Sequence, residues 1–281
     1  MSETKSLSRV PIAGVIGDPI AHSKSPILFR HWLDAYGIKG HYVPLHIHPN
    51  SLKEALITLP KIGFVGVNVT IPHKETVLKL ADVVSDRAGE IGAANTLTFE
   101  KDGKIHADNT DGYGFFENLR QNAPKWDPTS GPAIVLGAGG AARAVLSSLI
   151  AAGVPEIILT NRTFSRAATL HKEFGNKIRV VHWEDAAENL GLGKVVINTT
   201  SLGMAGKENL NLDLTGLHSD QLVTDLVYTP LQTNLLKAAQ EKGCQTVDGL
   251  GMLLHQATPG FERWFGLSPT VNSATRSAVL A

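Results

Sequence analysis

The chain contains 281 residues, 43% of them hydrophobic, which is enough apolar material for two modest cores and predicts two domains with a cleft between them. Its 26 Lys and Arg residues balance its 26 Asp and Glu residues. Without net charge the chain has no overall field to attract nucleic acid or an anionic membrane, so we expect neither as a partner. The single cysteine, Cys244, excludes an intrachain disulfide and is interpreted as a small buried hydrophobic residue.

The sequence shows no sign of export or membrane insertion. The first ten residues, MSETKSLSRV, are polar and lack the apolar core of a signal peptide. The longest apolar stretch, from Ala144 to Val154, is shorter than the roughly 20 residues that a membrane helix needs. We therefore expect a cytoplasmic protein.

Apolar runs rich in β-branched residues alternate with segments of helical periodicity, which is typical of α/β folds. In the first part we predict strands at IAGVIG, HYVPLHI, GVNVTIP and ANTLTFE, and helices at SPILFRHWLDAYG, SLKEALITLP and KETVLKLADVV. Residues 121–132 cluster Pro, Ser and Gly, as in a linker or long loop. Strands at AIVL, EIILTNRT, VVINTTS and LVTDLVY follow, and after Val247 we predict a turn and an apolar helix that returns to the first domain.

The segment GAGGAA has the spacing of a dinucleotide-binding loop, directly after a predicted strand and before a predicted helix. Gly137 permits the tight turn, Gly139 lets the backbone approach a pyrophosphate, and Ala142 allows close packing of helix and strand. The predicted cofactor contacts in this loop are Gly137, Ala138, Gly139, Gly140 and Ala141. A glycine-rich turn with a purely structural role is the alternative.

The end of the next predicted strand indicates which dinucleotide binds. A carboxylate there would bond a ribose 2′-hydroxyl, whereas arginine suits a 2′-phosphate. The chain has Asn161, Arg162 and Thr163 at this point, with Arg166 about one turn further on. Two guanidinium groups can hold a phosphate through charge-assisted hydrogen bonds, so we predict NADP as the cofactor. The alternative is that both arginines are solvated surface residues.

Polar residues follow the predicted strands of the first part. Ser23 and Ser25 alternate before Pro26 and could hold a carboxylate without a cation. Lys74 follows Pro72 at the beginning of a predicted helix, where the positive helix end disfavours an ammonium and favours a lysine that exchanges its proton. An ordinary solvated lysine is the alternative.

His46 and His48 alternate in a predicted strand and could face one metal ion. No carboxylate or cysteine lies beside them in the sequence to complete a site, so we predict no metal.

Seven motifs in this order, GDPIAHSKSP, GVNVTIPHKE, GAANTL, NTDGYG, GAGGAARA, NRT and GLGMLLHQA, resemble the shikimate dehydrogenase family, and the resemblance covers nearly the whole chain. It implies an α/β fold with an N-terminal α/β substrate domain at 1–112, a Rossmann-like NADP domain at 113–247, and a C-terminal helical segment at 248–281 that packs on the first domain. The implied activity is reversible reduction of 3-dehydroshikimate to shikimate with NADPH, in aromatic amino acid biosynthesis.

The resemblance also implies roles for individual residues. Lys74 and Asp111 become the catalytic pair. The implied substrate contacts are Ser23, Ser25, Thr70, Asn95, Tyr228 and Gln256. The implied cofactor contacts beyond those above are Asp86, Leu226 and Gly249; some relatives have glutamate at the position of Asp86.

A ketone that accepts hydride develops alkoxide character, so its reduction needs a proton donor and a positive charge at that oxygen. Lys74 would supply both, and Asp111 would orient the ammonium and bond a substrate hydroxyl. Two alternatives remain: a quinate/shikimate dehydrogenase with relaxed substrate and cofactor use, and a non-catalytic NADP-binding sensor. The sequence leaves open whether the protein is a homodimer.

Overall fold

The computed structural model describes residues 10–281. Nine of the ten N-terminal residues that the signal-peptide prediction concerns lie outside this range. The chain divides into two compact units: one comprises the chain up to Gly89 together with Ala94–Asp108 and Ala257–Ala281, and the other comprises Glu90–Ala93 and Asn109–Gln256.

The first unit is built on a mixed six-stranded sheet in the order β2-β1-β3-β5-β6-β4. Its strands are β1 (Ile12–Gly17), β2 (His41–His46), β3 (Phe64–Val69), β4 (Val83–Val84), β5 (Thr96–Phe99) and β6 (Ile105–Asp108). β5 runs antiparallel to both β3 and β6, whereas β1 is parallel to β2 and β3. Helices α1 (Ser25–Ala35) and α2 (Leu52–Thr58) follow the strands as predicted, and α3 (Asp86–Ile91) begins in this unit.

The helix predicted at KETVLKLADVV is wrong. The chain makes turns there, with a single 3₁₀ turn at Val77–Lys79, and Val83–Val84 form β4. β4 pairs in parallel with β6, so the β-branched pair is used in the sheet. The apolar positions Val77 and Leu80 still face the core, but the periodicity alone did not show that the chain leaves the helical path.

The second unit is an all-parallel six-stranded sheet in the order β12-β11-β10-β7-β8-β9. The strands are β7 (Ala133–Leu136), β8 (Ile157–Thr160), β9 (Ile178–Val181), β10 (Val195–Asn198), β11 (Leu222–Asp225) and β12 (Gln245–Val247). The helices are α4 (Asp111–Asn122), α5 (Gly140–Ala151), α6 (Phe164–Phe174), α7 (Ala186–Asn189) and α8 (Asn234–Glu241). Counted within the unit, the order is 3-2-1-4-5-6, the doubly wound arrangement of dinucleotide-binding folds. The predicted fold class is confirmed.

From Ala257 onward, the C-terminal segment belongs to the first unit. Helix α9 (Leu250–Phe265) ends in that unit, and α10 (Ser273–Leu280) packs on α1. Phe29 of α1 lies 5.6 Å from Phe261 between ring centroids. A Cβ built at Gly66 of β3 would lie 2.0 Å from the Trp264 indole nitrogen, so only glycine permits this close approach of helix and strand.

The boundaries differ in detail from the predicted 112/113 and 247/248. Apart from Glu90–Ala93, the second unit begins at Asn109, because α4 packs with α5. Residues 121–132 therefore begin inside α4, and the loop that follows contains a 3₁₀ turn at Pro128–Ser130. The second unit ends at Gln256, part-way along α9, so the boundary lies within a helix that the sequence could not divide.

Asp108, at the end of β6, is a buried carboxylate that joins three parts of the first unit. It accepts hydrogen bonds from Ser85 (2.7 Å), from Arg87 of α3, and from Arg263 of α9. Burial raises the pKa of Asp108, but the hydrogen bonds from Arg87, Ser85 and Arg263 outweigh it and hold that pKa well below its usual value. The charge therefore ties the C-terminal helix to the sheet.

Asp108→Asn is expected to lower the free energy of unfolding at pH 7 by about 3 kcal/mol, because Arg87 and Arg263 lose the carboxylate that they pair with. This value is at the low end of the range for breaking a buried ion pair, since both arginines are partly exposed. A lowered folded-state pKa stabilises the protein above the unfolded pKa of about 3.9, and this contribution is lost as pH falls toward the folded pKa. The difference between wild type and variant should therefore shrink at about pH 3.5 in urea unfolding.

Asp102→Asn is the matched control. Asp102 is an exposed carboxylate whose partner, Lys104, is also exposed, so its loss should leave stability unchanged. An Asp108→Asn variant as stable as wild type at pH 7 would contradict the structural role of Asp108.

Candidate active site

The substrate residues predicted in the first unit lie at one edge of its sheet. Thr70 follows the end of β3, and its N–H donates to Ile16 at the end of β1 (3.0 Å). Asn95 precedes β5, and its carbonyl accepts from the N–H of Val69 (2.8 Å). Because β5 is antiparallel to β3, its beginning lies beside the end of β3. Ser23 and Ser25 follow β1 at the beginning of α1, which places them after a neighbouring strand end.

A chain of buried hydrogen bonds runs beneath these residues. The Tyr42 hydroxyl donates to Asn68 Oδ1 (2.8 Å), and Asn68 Nδ2 donates to Thr96 Oγ1 (3.2 Å). Thr96 Oγ1 in turn donates to Asn95 Oδ1 (3.0 Å). Burial raises the pKa of Tyr42 well above its ordinary value, and a hydrogen bond with Ser25 partly opposes that rise. The network holds the amide of Asn95 in a fixed orientation.

Lys74 lies in the turn after β3, and its main chain is fixed on both sides. Its carbonyl accepts from the N–H of Ala94 (2.8 Å). The preceding His73 is buried, and its Nε2 lies 2.7 Å from the carbonyl oxygen of Ile47. Lys74 does not lie at the positive end of an α-helix, as the sequence had predicted, because the chain forms no α-helix at this position. The tertiary contacts of the turn, and not a helix dipole, position this lysine.

Asp111 and Gln256 come together in the second unit. Asp111 is 4% exposed and opens α4, where the helix dipole favours a negative charge. Its N–H donates to Asn109 Oδ1 (3.0 Å), and Thr110 Oγ1 donates to the carbonyl of Gln256 (2.8 Å). A Cβ at Gly114 would lie 2.6 Å from Gln256 Cβ, so glycine allows α4 and α9 to approach closely.

The glycine loop has the geometry of an anion site. Gly137 adopts φ +109°, a conformation that favours glycine. Gly139 precedes α5 with no side chain capping it, and a Cβ built there meets no atom within 4 Å. The space beside Gly139 is therefore open, and no side chain caps the beginning of α5, so an anion could accept hydrogen bonds from its first N–H groups. A Cβ at Gly137 would meet Thr199 and Thr200 after β10, at the point where the strand order of the sheet reverses.

Asn161 ties the glycine loop to the end of β8. Its Oδ1 accepts from the N–H of Ala138 (3.2 Å), and its Nδ2 donates to the carbonyl of Thr163 (2.9 Å). Arg162 and Arg166 are both exposed. The Arg162 guanidinium lies 3.2 Å from the carboxylate of Glu208, which is also exposed, and such a surface pair is weak. A phosphate can therefore compete for Arg162 at little cost.

Leu226 and Gly249 are neighbours in the second unit. A Cβ at Gly249 would lie 2.3 Å from the carbonyl oxygen of Leu226, so only glycine fits there. Tyr228 follows in the same loop, and burial raises its pKa. Asp86, in contrast, is an exposed residue of the first turn of α3 in the first unit, and its predicted cofactor contact stays a prediction.

The histidine pair has a different environment from the one expected. His46 Nε2 lies 2.6 Å from Asp18 Oδ1, so a carboxylate does stand beside it; the sequence could not show this because Asp18 is distant in the chain. His48 instead accepts from the N–H of Asn50 (3.3 Å). Within residues 10–281, no group of three or more His, Cys, Asp or Glu side chains could hold a metal ion.

Two family models match the chain. The shikimate dehydrogenase substrate binding domain matches residues 15–97, and the shikimate / quinate 5-dehydrogenase model matches residues 121–209. A curated relative from Roseobacter denitrificans, shikimate dehydrogenase (NADP(+)), is 62% identical over 98% of this chain and 99% of its own length. The chain belongs to the shikimate dehydrogenase family.

Two solved structures superpose closely on this chain. Shikimate 5-dehydrogenase from Thermus thermophilus, in complex with NADP(H) and shikimate, is 36% identical with a TM-score of 0.85 and covers 96% of this chain and 98% of its own. Quinate dehydrogenase from Corynebacterium glutamicum, in complex with NAD, is 31% identical with a TM-score of 0.89 and covers 96% of this chain and 99% of its own. No helix within residues 10–281 has the length and apolar character required to cross a membrane.

The second unit of this shikimate dehydrogenase family member fits a phosphorylated dinucleotide. The open space at Gly139 and the uncapped helix end can receive a pyrophosphate. At the end of β8 the chain has an amide and a guanidinium where an NAD-binding site would have a carboxylate. The residues present therefore suit a 2′-phosphate.

Sequence reasoning missed several residues that hold the site in place. They are Tyr42 and His73 in the first unit, and Asn198 and Asp225 in the second. Each is a buried polar residue inside an otherwise apolar strand or beside one, and its partner is far away in the sequence. A polar side chain in an apolar run was the available signal, but it does not reveal which groups meet.

Proposed function

We propose that this protein catalyses the reversible NADPH-dependent reduction of 3-dehydroshikimate to shikimate, a step in the biosynthesis of chorismate and the aromatic amino acids. The observation that carries this proposal is the 62% identity to a shikimate dehydrogenase (NADP(+)) over 98% of the chain. The two sheets supply the two requirements: polar side chains at one edge of the mixed sheet for the substrate, and a glycine loop on the parallel sheet for the cofactor.

The chemistry divides between cofactor and protein. When bound, NADPH supplies the hydride that reduces the substrate ketone. Lys74 donates a proton to the ketone oxygen as that oxygen gains negative charge, and its ammonium stabilises the charge before transfer. Asp111, the second member of the catalytic pair that the family resemblance implies, accepts a hydrogen bond from a substrate hydroxyl. In the oxidation direction Lys74 removes the hydroxyl proton.

The substrate carries a carboxylate and several hydroxyls, and the proposed contacts suit both. Ser23 and Ser25 donate hydroxyl protons to the carboxylate. Thr70, Asn95 and Gln256 bond the ring hydroxyls, together with Tyr228. The buried network through Tyr42 and Asn68 supports the assignment of Asn95, because its amide orientation is set before substrate arrives.

The cofactor contacts proposed for NADP follow the geometry of the second unit, with one exception. The loop from Gly137 to Ala141 receives the pyrophosphate, and Asn161, Arg162, Thr163 and Arg166 hold the adenosine 2′-phosphate. Leu226 and Gly249 lie against the nicotinamide end. Asp86 is the exception, since it is an exposed residue of the first unit and only the family resemblance supports it.

A quinate dehydrogenase is the second candidate, favoured by the high TM-score of the enzyme from Corynebacterium glutamicum. That relative is described with NAD, whereas Arg162 and the absence of a carboxylate at the end of β8 favour NADP here. A non-catalytic NADP-binding sensor is disfavoured because Lys74 and Asp111 are both present. We further propose a cytoplasmic enzyme whose partner is its small-molecule substrate, without nucleic acid or membrane partners; a homodimer is compatible with this proposal.

The decisive experiment follows NADPH oxidation at 340 nm with 3-dehydroshikimate, and the reverse reaction with shikimate and with quinate. We expect reduction of 3-dehydroshikimate, oxidation of shikimate, and much slower oxidation of quinate with either cofactor. Comparable rates with quinate and NAD would favour the quinate enzyme, and NADPH binding without turnover of any of these substrates would favour the sensor.

A further inference from the structure

A buried carboxylate that none of the proposed roles uses lies at the end of β11. Asp225 has an exposed fraction of 0% and follows the apolar residues Leu222 and Val223. Burial raises its pKa, and hydrogen bonds from Val227, Thr233 and Asn198 oppose that rise. A carboxylate is costly to bury, so its place in this core calls for partners on both oxygens.

The two oxygens of Asp225 serve different parts of the second unit. Oδ1 accepts from Asn198 Nδ2 (2.9 Å) and from the N–H of Val227 (2.9 Å). Oδ2 accepts from Thr233 Oγ1 (2.7 Å), which begins helix α8. One oxygen therefore holds two loops at the carboxyl edge of the sheet, and the other holds a helix end.

The first of these loops follows β10. Asn198 Oδ1 accepts from the N–H (3.0 Å) and the hydroxyl (2.7 Å) of Thr200, and Thr200 Oγ1 accepts from the N–H of Leu202 (3.1 Å). Thr200 is the residue that a Cβ at Gly137 would meet at 2.8 Å. A chain of hydrogen bonds therefore runs from Asp225 through Asn198 to Thr200, which lies against Gly137 of the glycine loop.

The second loop follows β11 and contains Leu226, Val227 and Tyr228. The bond from the N–H of Val227 to Asp225 fixes the middle of this segment. Gly249 packs directly on its beginning, since a Cβ there would lie 2.3 Å from the Leu226 carbonyl and 2.8 Å from that of Asp225. The segment therefore has little freedom to shift while Asp225 keeps its bonds.

We propose that Asp225 is a positioning residue for NADPH: through Asn198 and Val227 it holds the loops after β10 and β11 in the shape that the cofactor requires. This inference rests on the proposed function, because NADPH is the ligand. Asp225 holds both loops through hydrogen bonds to its carboxylate. If the carboxylate were removed, Asn198 Nδ2 and the N–H of Val227 would lose their acceptor at the same time. Cofactor affinity is the property that then suffers.

The test measures the dissociation constant of NADPH by cofactor fluorescence, without substrate, in the full-length protein. Asp225→Ala is expected to weaken NADPH binding at least about tenfold, since the loss of Oδ1 removes the acceptor of the hydrogen bonds from Asn198 and from Val227 that hold the two loops. Asp225→Asn is the conservative variant. It can turn its amide nitrogen toward Thr233, keep its oxygen on Asn198 and Val227, and restore binding to within about threefold of wild type.

Thr233→Val is the matched control for stability. It removes the bond to Oδ2 and the cap of α8, so it should lower the thermal midpoint and leave the NADPH dissociation constant unchanged. If Asp225→Ala does not fold, Thr200→Val decides in its place, because it removes the hydroxyl at the far end of the same chain of bonds and should weaken NADPH binding by about threefold or more.

The outcomes separate this inference from the proposed function. A wild-type protein that does not bind NADPH would contradict the proposed function itself. Wild-type binding together with unchanged affinity in a folded Asp225→Ala variant, or in Thr200→Val if that variant decides, would overturn the positioning role. Equal weakening by Thr233→Val would also overturn it, because affinity would then follow general stability.

Discussion

Replacing Lys74 with Met is expected to lower turnover by about a hundred- to ten-thousandfold, the range lost on removal of a general acid–base. Met keeps much of the length and apolar stem of the side chain but removes the ammonium. The main chain of the turn is held by the bond from Ala94 to Lys74 and by buried His73, so the fold should survive. The Michaelis constant for 3-dehydroshikimate should change much less, because the lost interaction acts in the transition state.

Lys79→Met is the matched control for this substitution. It makes the same chemical change in the 3₁₀ turn that follows, where the lysine is exposed, and should leave turnover unchanged. Steady-state kinetics on protein checked for folding and NADPH binding would measure both. Near-normal turnover in Lys74→Met would remove this lysine from the chemistry.

Asp111→Asn tests whether the two proposed catalytic residues act as a unit. On its own it should also lower turnover, and in the double variant the combined loss should be much smaller than the sum of the separate losses. Full additivity of the two free energies would mean that Lys74 and Asp111 act independently, against the proposed pair.

Arg162→Ala is expected to raise the Michaelis constant for NADP about ten- to a hundredfold while that for NAD changes little. Charge-assisted hydrogen bonds to a 2′-phosphate contribute about 1.5–3 kcal/mol, and NAD has no such phosphate. Arg162 is exposed and lies 3.2 Å from the carboxylate of Glu208, which is also exposed, so its loss should change cofactor choice and not folding. Kinetics with both cofactors would measure the ratio.

Glu208→Gln provides the complementary control. It frees Arg162 from its surface partner, so NADP binding should stay equal or become slightly tighter. Equal effects of Arg162→Ala on NADP and NAD would show that the guanidinium does not read the 2′-phosphate.

The parallel domain was the part of the fold most open to prediction from sequence. Its strands are short, apolar and separated by helices, and the glycine loop marks where β7 passes into α5. The mixed sheet was predicted less well. The helix at KETVLKLADVV was wrong because Val83–Val84 pair with β6, and a strand of two residues has no periodicity of its own to detect. The strand β6 itself, IHAD, was not predicted because two of its four residues are polar, so no apolar run marks it.

The sequence by itself determined the α/β class, the dinucleotide-binding loop and, through its motifs, the family, because these depend on residue type and spacing along the chain. Many of the proposed site residues, Asp111 and Gln256 among them, came only from the family resemblance. Tertiary structure alone decided which buried polar groups meet: Tyr42 with Asn68, Asp108 with Arg87 and Arg263, and Asp225 with Asn198 and Thr233. A hydrogen bond depends on the distance and direction between two groups, and for residues far apart in the chain only the folded backbone sets these. The same reason applies to Lys74, whose position is held by contacts of a turn and not by the helix its neighbours suggested.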